Sequence, residues 1–76
     1  MIRELDTVVL TRDLDESGLK SGDIGAVVHC YQDGGAFEVE FVTAEGKTVA
    51  VLTLNAQDVR PPGERDILHV RELALT

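Results

Sequence analysis

Four runs rich in β-branched residues, separated by one long loop and two short turns that all contain glycine, constrain the fold of this 76-residue chain more than any other feature. The runs cover residues 6–11, 24–31, 36–43 and 48–54. Short runs at fairly regular spacing are typical of a small β-sandwich or β-barrel, and not of alternating strands and helices. A chain of this length forms one domain, with a core built mainly from aliphatic side chains because aromatic residues are few.

The turns between the three central runs predict how these runs pair. If residues 32–35 and 44–47 close two hairpins, Thr43 lies opposite Thr48 and Tyr31 opposite Ala36. The cross-strand neighbours are then Phe37 with Cys30 and Leu54, Val39 with Val28 and Leu52, and Phe41 with Ala26 and Ala50. Side chains alternate between faces along a strand, so both hairpins place the two phenylalanines on one apolar face. A slip of one residue would invert that face.

The opposite face of this meander is predicted to bind a partner. It carries Val27, His29, Tyr31, Glu38, Glu40, Val42, Val49 and Val51. Exposed valines next to charged residues are typical of an interaction surface. The alternative, that the C-terminal segment covers these valines, is left open by the sequence.

Two further strands are predicted outside the three-stranded meander. Residues 6–11 form a first strand before a long polar loop, and Val59–Arg60 forms a closing strand that ends at Pro61, which lacks a backbone N–H. Gly25 interrupts the second run and indicates a bulge or a close backbone approach. The sequence therefore predicts an all-β, five-stranded barrel over residues 1–62 with a C-terminal extension over residues 63–76.

The extension has two interpretations that the sequence does not separate. A short helix capped by Asp66 would form a stripe of Ile67, Val70, Leu73 and Ala74. An added strand would alternate through Leu68, Val70, Glu72 and Ala74 and pair at a sheet edge. A free helix of this length is marginal in water, so the segment must pack on its own domain, a second copy or another protein. A homo-oligomer formed through the extension is therefore left open.

The charge balance bears on the class of partner. Fourteen acidic residues against seven Lys and Arg give a net charge of -7. Phosphate-binding surfaces need clustered Lys and Arg, so nucleic acid and anionic membranes are disfavoured. A basic partner protein is favoured by electrostatic steering.

The loop between the first two runs contains an acidic cluster of Asp13, Asp15 and Glu16. It resembles the first half of an EF-hand calcium loop, but Ile24 stands where the bidentate Glu is required. We therefore interpret it as a solvated acidic loop that serves as a docking site for a basic partner.

The sequence contains no convincing catalytic or metal site. The two histidines are His29, which the register places opposite Glu38, and His69, whereas a zinc site needs three or four ligands. Cys30 faces the predicted core, where cysteine acts as a small apolar residue. We expect no enzyme activity, no cofactor and no metal.

The single cysteine fits a reducing compartment, and residues 1–6 lack the apolar segment of a signal peptide. Together with the lack of any stretch that could span a membrane, this predicts a cytoplasmic protein.

Several segments together resemble a known family. They are Leu-Asp-Thr-Val-Val-Leu-Thr at 5–11, Gly-Leu-x-x-Gly-Asp-x-Gly at 18–25, Glu-Val-Glu-Phe at 38–41 and Ala-x-Leu-Thr-Leu at 50–54. In order and spacing they are similar to a small prokaryotic family catalogued as domain of unknown function 4926. The resemblance covers about residues 5–61 and implies an SH3-like barrel with no established activity and no catalytic residues to transfer.

The resemblance also implies a class of partner, because genes of this family often stand beside another small gene, as toxin and antitoxin genes do. We therefore predict a non-catalytic protein-interaction module, in its finer form an antitoxin-like or regulatory partner of a small basic protein. The alternative is a nucleic-acid-binding SH3-like or KOW-like barrel, which would require a basic stripe that the sequence lacks.

Overall fold

The computed structural model describes residues 2–68 and 70–73 and contains one antiparallel sheet of five strands. The strands are β1 (Thr7–Leu10), β2 (Ile24–Cys30), β3 (Ala36–Val42), β4 (Thr48–Asn55) and β5 (Val59–Arg60), in the spatial order β4-β3-β2-β1-β5. A 3₁₀ turn at Asp15–Ser17 lies in the loop between β1 and β2. The predicted all-β class and the five strands are confirmed. Closure of the sheet into an SH3-like barrel stays a prediction.

The hydrophobic core lies on one face of the sheet. Its buried members are Val8, Leu10, Leu19, Val27, Phe37, Val39, Phe41, Leu54 and Val59. Leu54 and Val59 come from the two strands at opposite edges of the sheet, so the sheet must curl for both to join one cluster. Burying an aliphatic or aromatic side chain of this size contributes about 1.5–3 kcal/mol.

The pairing of β3 with β4 confirms the predicted register over most of its length. Phe37 lies opposite Leu54, Val39 opposite Leu52 and Phe41 opposite Ala50. Close to the turn the register shifts, so that Val42 and not Thr43 lies opposite Thr48. Both phenylalanines are buried, because alternation along β3 places them with Val39 on the core face.

The pairing of β2 with β3 corrects part of the predicted register. Cys30 lies opposite Phe37 and His29 opposite Glu38, as expected, but a bulge between Val27 and His29 shifts the rest of the strand by one residue. Val27 therefore lies opposite Val39, and Ala26 lies opposite Glu40, where Val28 and Ala26 were expected opposite Val39 and Phe41. The extra residue of a bulge reverses which side chains face the core on one side of it.

Gly25 shows why β2 can pack this closely against β3. A Cβ atom at this position would lie 2.6 Å from Cγ1 of Val39, 2.9 Å from Cε1 of Phe41 and 3.0 Å from the carbonyl oxygen of Glu40. No side chain fits in that space. The glycine lets the strand approach the core residues of β3 while it also pairs with β1, where it lies opposite Val8.

The C-terminal extension follows Pro61 and Pro62 and forms neither a helix nor a strand over the residues that the structure describes there, 63–68 and 70–73. Asp66 caps no helix. Its carboxylate accepts from both Nη1 and Nη2 of Arg60, at 2.7 and 3.2 Å, and from the backbone N–H of Gly63 at 2.5 Å. These bonds fix a turn at the start of the extension. Ala74, which belongs to both predicted patterns for the extension, lies outside the described residues.

Candidate interaction surface

The outer face of the β2–β4 meander exposes apolar side chains that nothing else in the described chain covers completely. The exposed fractions are 43% for Val28, 40% for Tyr31, 51% for Val42 and 52% for Val51. Glu38 and Glu40 of β3 lie between these residues and are half-buried. We call this set, with His29 and Thr53, the outer face. An exposed apolar patch beside charged residues is typical of an interaction surface.

Glu38 and Glu40 both lean from β3 towards β4. The Thr48 hydroxyl donates to Oε2 of Glu40 at 2.8 Å, and the Thr53 hydroxyl donates to Oε1 of Glu38. Oε2 of Glu38 also accepts from the Tyr31 hydroxyl at 3.3 Å. The two carboxylates are therefore held on the outer side of β4, with Val51 opposite Glu40 in the pairing.

His29 lies at the β2 side of the outer face, opposite Glu38 as predicted. Its ring stands edge-on to the Tyr31 ring, with the centroids 4.9 Å apart and an interplanar angle of 89°. Nδ1 of His29 lies 3.6 Å from Oε2 of Glu4. Within residues 2–68 and 70–73, no three His, Cys, Asp or Glu side chains come together as a metal site would require, and His69 lies outside these residues.

Two valines that were predicted on the outer face, Val27 and Val49, do not lie there. Val27 is completely buried, because the bulge turns it towards the core, and Val28 takes its place on the outside. Val49 is partly buried and packs against the core cluster. Sequence alternation could not locate the bulge. Gly25 indicated a bulge or a close approach in this run, and a second signal is that Gly25 and Cys30, both suited to the core side, are an odd number of residues apart.

The acidic loop is organised by hydrogen bonds within itself. Oδ1 of Asp13 accepts from the backbone N–H of Ser21 at 2.9 Å, and Oδ1 of Asp15 lies 3.2 Å from Nζ of Lys20. Gly18 ends the 3₁₀ turn with a φ of 72°, in the left-handed region that favours glycine. Glu16 is exposed. The loop thus presents acidic side chains at the end of the sheet, whereas the outer face lies on β2–β4.

A groove of about 340 Å³ lies between this loop, the β3–β4 turn and the extension. Its apolar lining includes Leu19, Ile24, Phe41, Val42 and Val49, and the extension contributes Val70, Arg71 and Leu73 at its side. Val42 therefore belongs both to the outer face and to the groove. The described part of the extension reaches this groove and leaves Val51 exposed.

Two aspartate–arginine pairs that sequence reasoning missed hold the extension in place. One is the Arg60–Asp66 pair. Its hydrogen bond is the main reason why the pKa of Asp66 is lowered to about 2. In the other, Nε and Nη2 of Arg71 bind the two carboxylate oxygens of Asp23 at 2.8 and 2.5 Å. No local sequence pattern predicts the second pair, because its members are 48 residues apart.

Most basic side chains of the protein are engaged by aspartates. Four of the seven Lys and Arg residues form ion pairs: Arg12 with Asp58, Lys20 with Asp15, Arg60 with Asp66, and Arg71 with Asp23. Among residues 2–68 and 70–73, most of the fourteen acidic side chains form no ion pair with a lysine or arginine. The surface potential is consequently dominated by carboxylates.

The fold and the outer face define a small all-β domain with a partly apolar, acidic surface. The chain belongs to the family described as a domain of unknown function (DUF4926), whose model matches residues 4–61. No curated protein and no solved structure matches the chain. The family match spans all five strands and ends at Pro61, so the extension lies outside it. In the part of the chain that the structure describes, no helix has the length and hydropathy that a bilayer span requires.

Proposed function

We propose that this protein is a non-catalytic interaction module that binds a basic partner protein through its outer face. The observation that carries the proposal is the arrangement of Glu38 and Glu40, held on the outer face by threonine hydroxyls and flanked by the exposed Val42 and Val51. Apolar contact area supplies affinity, and the positioned carboxylates select a positively charged partner.

In its finer form, the partner is a small basic protein encoded by an adjacent gene, and the chain acts on it as an antitoxin-like or regulatory subunit. The net charge of -7 and the aspartates that already engage four of the basic residues support a basic partner. The free Cys30 supports a location in the reducing cytoplasm. No observation favours nucleic acid as the partner, because four of the seven basic residues are paired with aspartates and all seven are scattered along the chain.

The test is co-expression with the product of the neighbouring small gene, followed by size-exclusion chromatography and measurement of affinity. We expect a shared peak and a relief of growth inhibition when the neighbour is toxic. The double variant Glu38→Gln/Glu40→Gln, which keeps hydrogen-bond acceptors on the outer face, should weaken the complex about tenfold.

The matched control is Glu45→Gln/Glu64→Gln, which removes the same charge from two exposed turns. An equal loss of affinity in both double variants would show that only net charge matters, and the outer face would be wrong as the docking surface. The absence of any shared peak and of any effect on growth would contradict the antitoxin-like form. A salt-sensitive shift of RNA or DNA would favour the nucleic-acid alternative.

A further inference from the structure

The two edge strands of the sheet differ in how they are protected from pairing with another chain. β5 has only two residues and is followed directly by Pro61 and Pro62, which have no N–H to donate. β4 has eight residues, Thr-Val-Ala-Val-Leu-Thr-Leu-Asn, with no charge, proline or glycine among them. Natural sheets usually protect an edge with shortness, charge or proline, and β4 has none of these.

The backbone N–H and C=O groups of β4 that point away from β3 can be identified from the pairing between β3 and its neighbours. The N–H of Tyr31 donates to the carbonyl of Ala36, so even-numbered residues of β3 face β2 and odd-numbered ones face β4. The β4 partners of the odd-numbered residues, Leu52 and Leu54 among them, therefore bond to β3. The backbone groups of Val51 and Thr53 then point away from the sheet.

Asn55 follows the same alternation, and its outward groups are already used. Its N–H donates to Oδ2 of Asp58 at 3.0 Å, and its carbonyl accepts from the N–H of Asp58 at 2.9 Å. This turn confirms the direction assigned to the odd-numbered residues of β4. Among the described residues, no partner pairs with β4 on its outer side, which leaves Val51 and Thr53 as the open part of the edge.

Side chains on both faces of β4 favour a strand of defined chemistry beside it. On the core face, Leu52 is only partly buried although Val39, its neighbour on β3, is completely buried. An apolar side chain on an added strand would extend the core over Leu52. On the outer face, Glu38 and Glu40 reach the threonines of β4, one strand spacing of about 4.8 Å from an added strand.

We propose that the β4 edge binds an extended segment of the partner protein as an antiparallel sixth strand, with apolar residues facing the core and Lys or Arg facing Glu38 and Glu40. This inference rests on the proposed function and names its mode of binding, in which backbone bonds provide affinity and alternate side chains provide specificity. The lysines or arginines compensate the two carboxylates that the outer face holds beside the edge.

A second copy of this chain fits the edge less well than a basic segment. Pairing β4 with itself would bring two copies of Glu38 and Glu40 together on one face, in molecules that each carry a net charge of -7. Like charges close together across a sheet destabilise the pairing. Charge complementarity therefore selects a basic strand from another protein.

The first test uses the full-length protein and a synthetic peptide of about seven residues that alternates Lys and Val. We expect the Val51 and Thr53 amides to exchange fast in the free protein and slowly with the peptide bound, and the Leu52 amide to be protected in both states. In an antiparallel ladder, residues that lie directly opposite each other have their side chains on the same face. The peptide residues that bond to the backbone of Val51 and Thr53 are therefore on the outer face, and the proposal places the lysines there. N-methylation of the lysine amides should then weaken binding about tenfold, whereas the same number of methyl groups on the valine amides should not.

The second test acts on the protein. Val51→Pro removes one outward N–H and leaves the bonds from β4 to β3 in place, whereas Val51→Thr keeps the N–H and is the matched control. We expect the proline variant alone to lose the peptide about tenfold, with folding checked by circular dichroism. The methylated peptides test the same ladder on the unaltered protein if the proline variant does not fold.

Equal binding of the parent peptide and both methylated peptides would overturn the inference, because charge alone would then explain the affinity. Protection of Val51 that rises with protein concentration and without peptide would also overturn it, in favour of a second copy. If the neighbouring protein binds the Val51→Pro variant and the parent protein equally well, strand addition is wrong while the interaction function stands. If the neighbouring protein binds neither, the proposed function itself fails.

Discussion

Arg71 binds Asp23 through two parallel hydrogen bonds, and its Nη2 also donates to the carbonyl oxygen of Gly18 at 3.0 Å. Asp23 lies directly before β2, and Gly18 ends the 3₁₀ turn in the acidic loop. The arginine thus fixes the end of the extension beside Gly18 and the start of β2. Leu73 also lies close to Gly18, because its Cδ1 is 4.0 Å from where a Cβ on Gly18 would be. The extension becomes one wall of the apolar groove through this contact.

We predict that Arg71→Ala releases the end of the extension without unfolding the sheet. Chymotrypsin should cleave after Leu68, which is 66% exposed, several-fold faster in the variant because the held conformation opens more often. Arg71→Lys should give an intermediate rate, since a lysine cannot bind both carboxylate oxygens in the same fork.

The control is Arg65→Ala, which removes an exposed arginine from the turn at the start of the same segment. If Arg65→Ala accelerates cleavage as much as Arg71→Ala, the contact with Asp23 does not hold the extension. Circular dichroism of each variant verifies that the strands remain.

The bulge in β2 predicts that two adjacent valines differ strongly in their contribution to stability. Val27→Ala removes methyl groups from a completely buried site and should lower the free energy of unfolding by about 1.5–3 kcal/mol. Val28→Ala, at a side chain that is 43% exposed, should change it by about 0.5 kcal/mol. Urea denaturation of the two variants measures both values. The reverse order of the two effects would place the bulge elsewhere.

Gly25 should tolerate no side chain. Gly25→Ala would place a Cβ against Val39, Phe41 and the backbone of β3, and overpacking of this kind costs about 1–3 kcal/mol. Gly35→Ala is the matched control, because the added Cβ would meet only Asp33, at 3.4 Å or more. Thermal unfolding should show a clearly lower Tm for the first variant alone. Similar values of Tm would mean that β2 and β3 separate easily at this point.

Asp58 should make the stability of the protein depend on pH in the acid range. This buried carboxylate accepts from Nε of Arg12 at 2.8 Å and from the N–H of Asn55 at 3.0 Å. The hydrogen bond from Arg12 is the main cause that lowers the pKa of Asp58, with burial opposing it. Because the pKa of Asp58 is lower in the folded state than the unfolded-state pKa of about 3.9, its ionised form stabilises the fold at pH values above 3.9. This stabilisation is lost as the pH falls through the folded-state pKa.

We therefore expect Asp58→Asn to cost about 1–2 kcal/mol at pH 7, where the charged hydrogen bond is intact. The difference from the parent protein should shrink progressively below about pH 4. Denaturant midpoints of both proteins between pH 7 and pH 2 measure it. A difference that stays constant down to pH 2 would show that the charge of Asp58 contributes nothing and that the variant only disturbs packing.

Much of the candidate site could be predicted from alternation along the strands, and the exceptions have local causes. Glu38, Glu40 and Val51 lie on the outer face as predicted, because the two hairpin turns agree on one register for β3. Val27 does not lie on the outer face, because the bulge shifts the alternation of β2 by one residue. The position of that shift cannot be read from a run of similar apolar residues. Thr48, which orients Glu40, was not predicted, because the register shift beside the β3–β4 turn moves it.

The sequence by itself determined the five strands, the inward position of Phe37 and Phe41 and the acidic character of the surface, because these follow from local periodicity, turn chemistry and composition. Only the tertiary structure decided where β2 bulges and where the extension lies. The bulge fits β2 against β3 at Gly25, and the extension is held by Arg71 on Asp23, 48 residues away in sequence. Contacts between segments so far apart depend on how the curled sheet brings them together, and no local pattern in the chain records that.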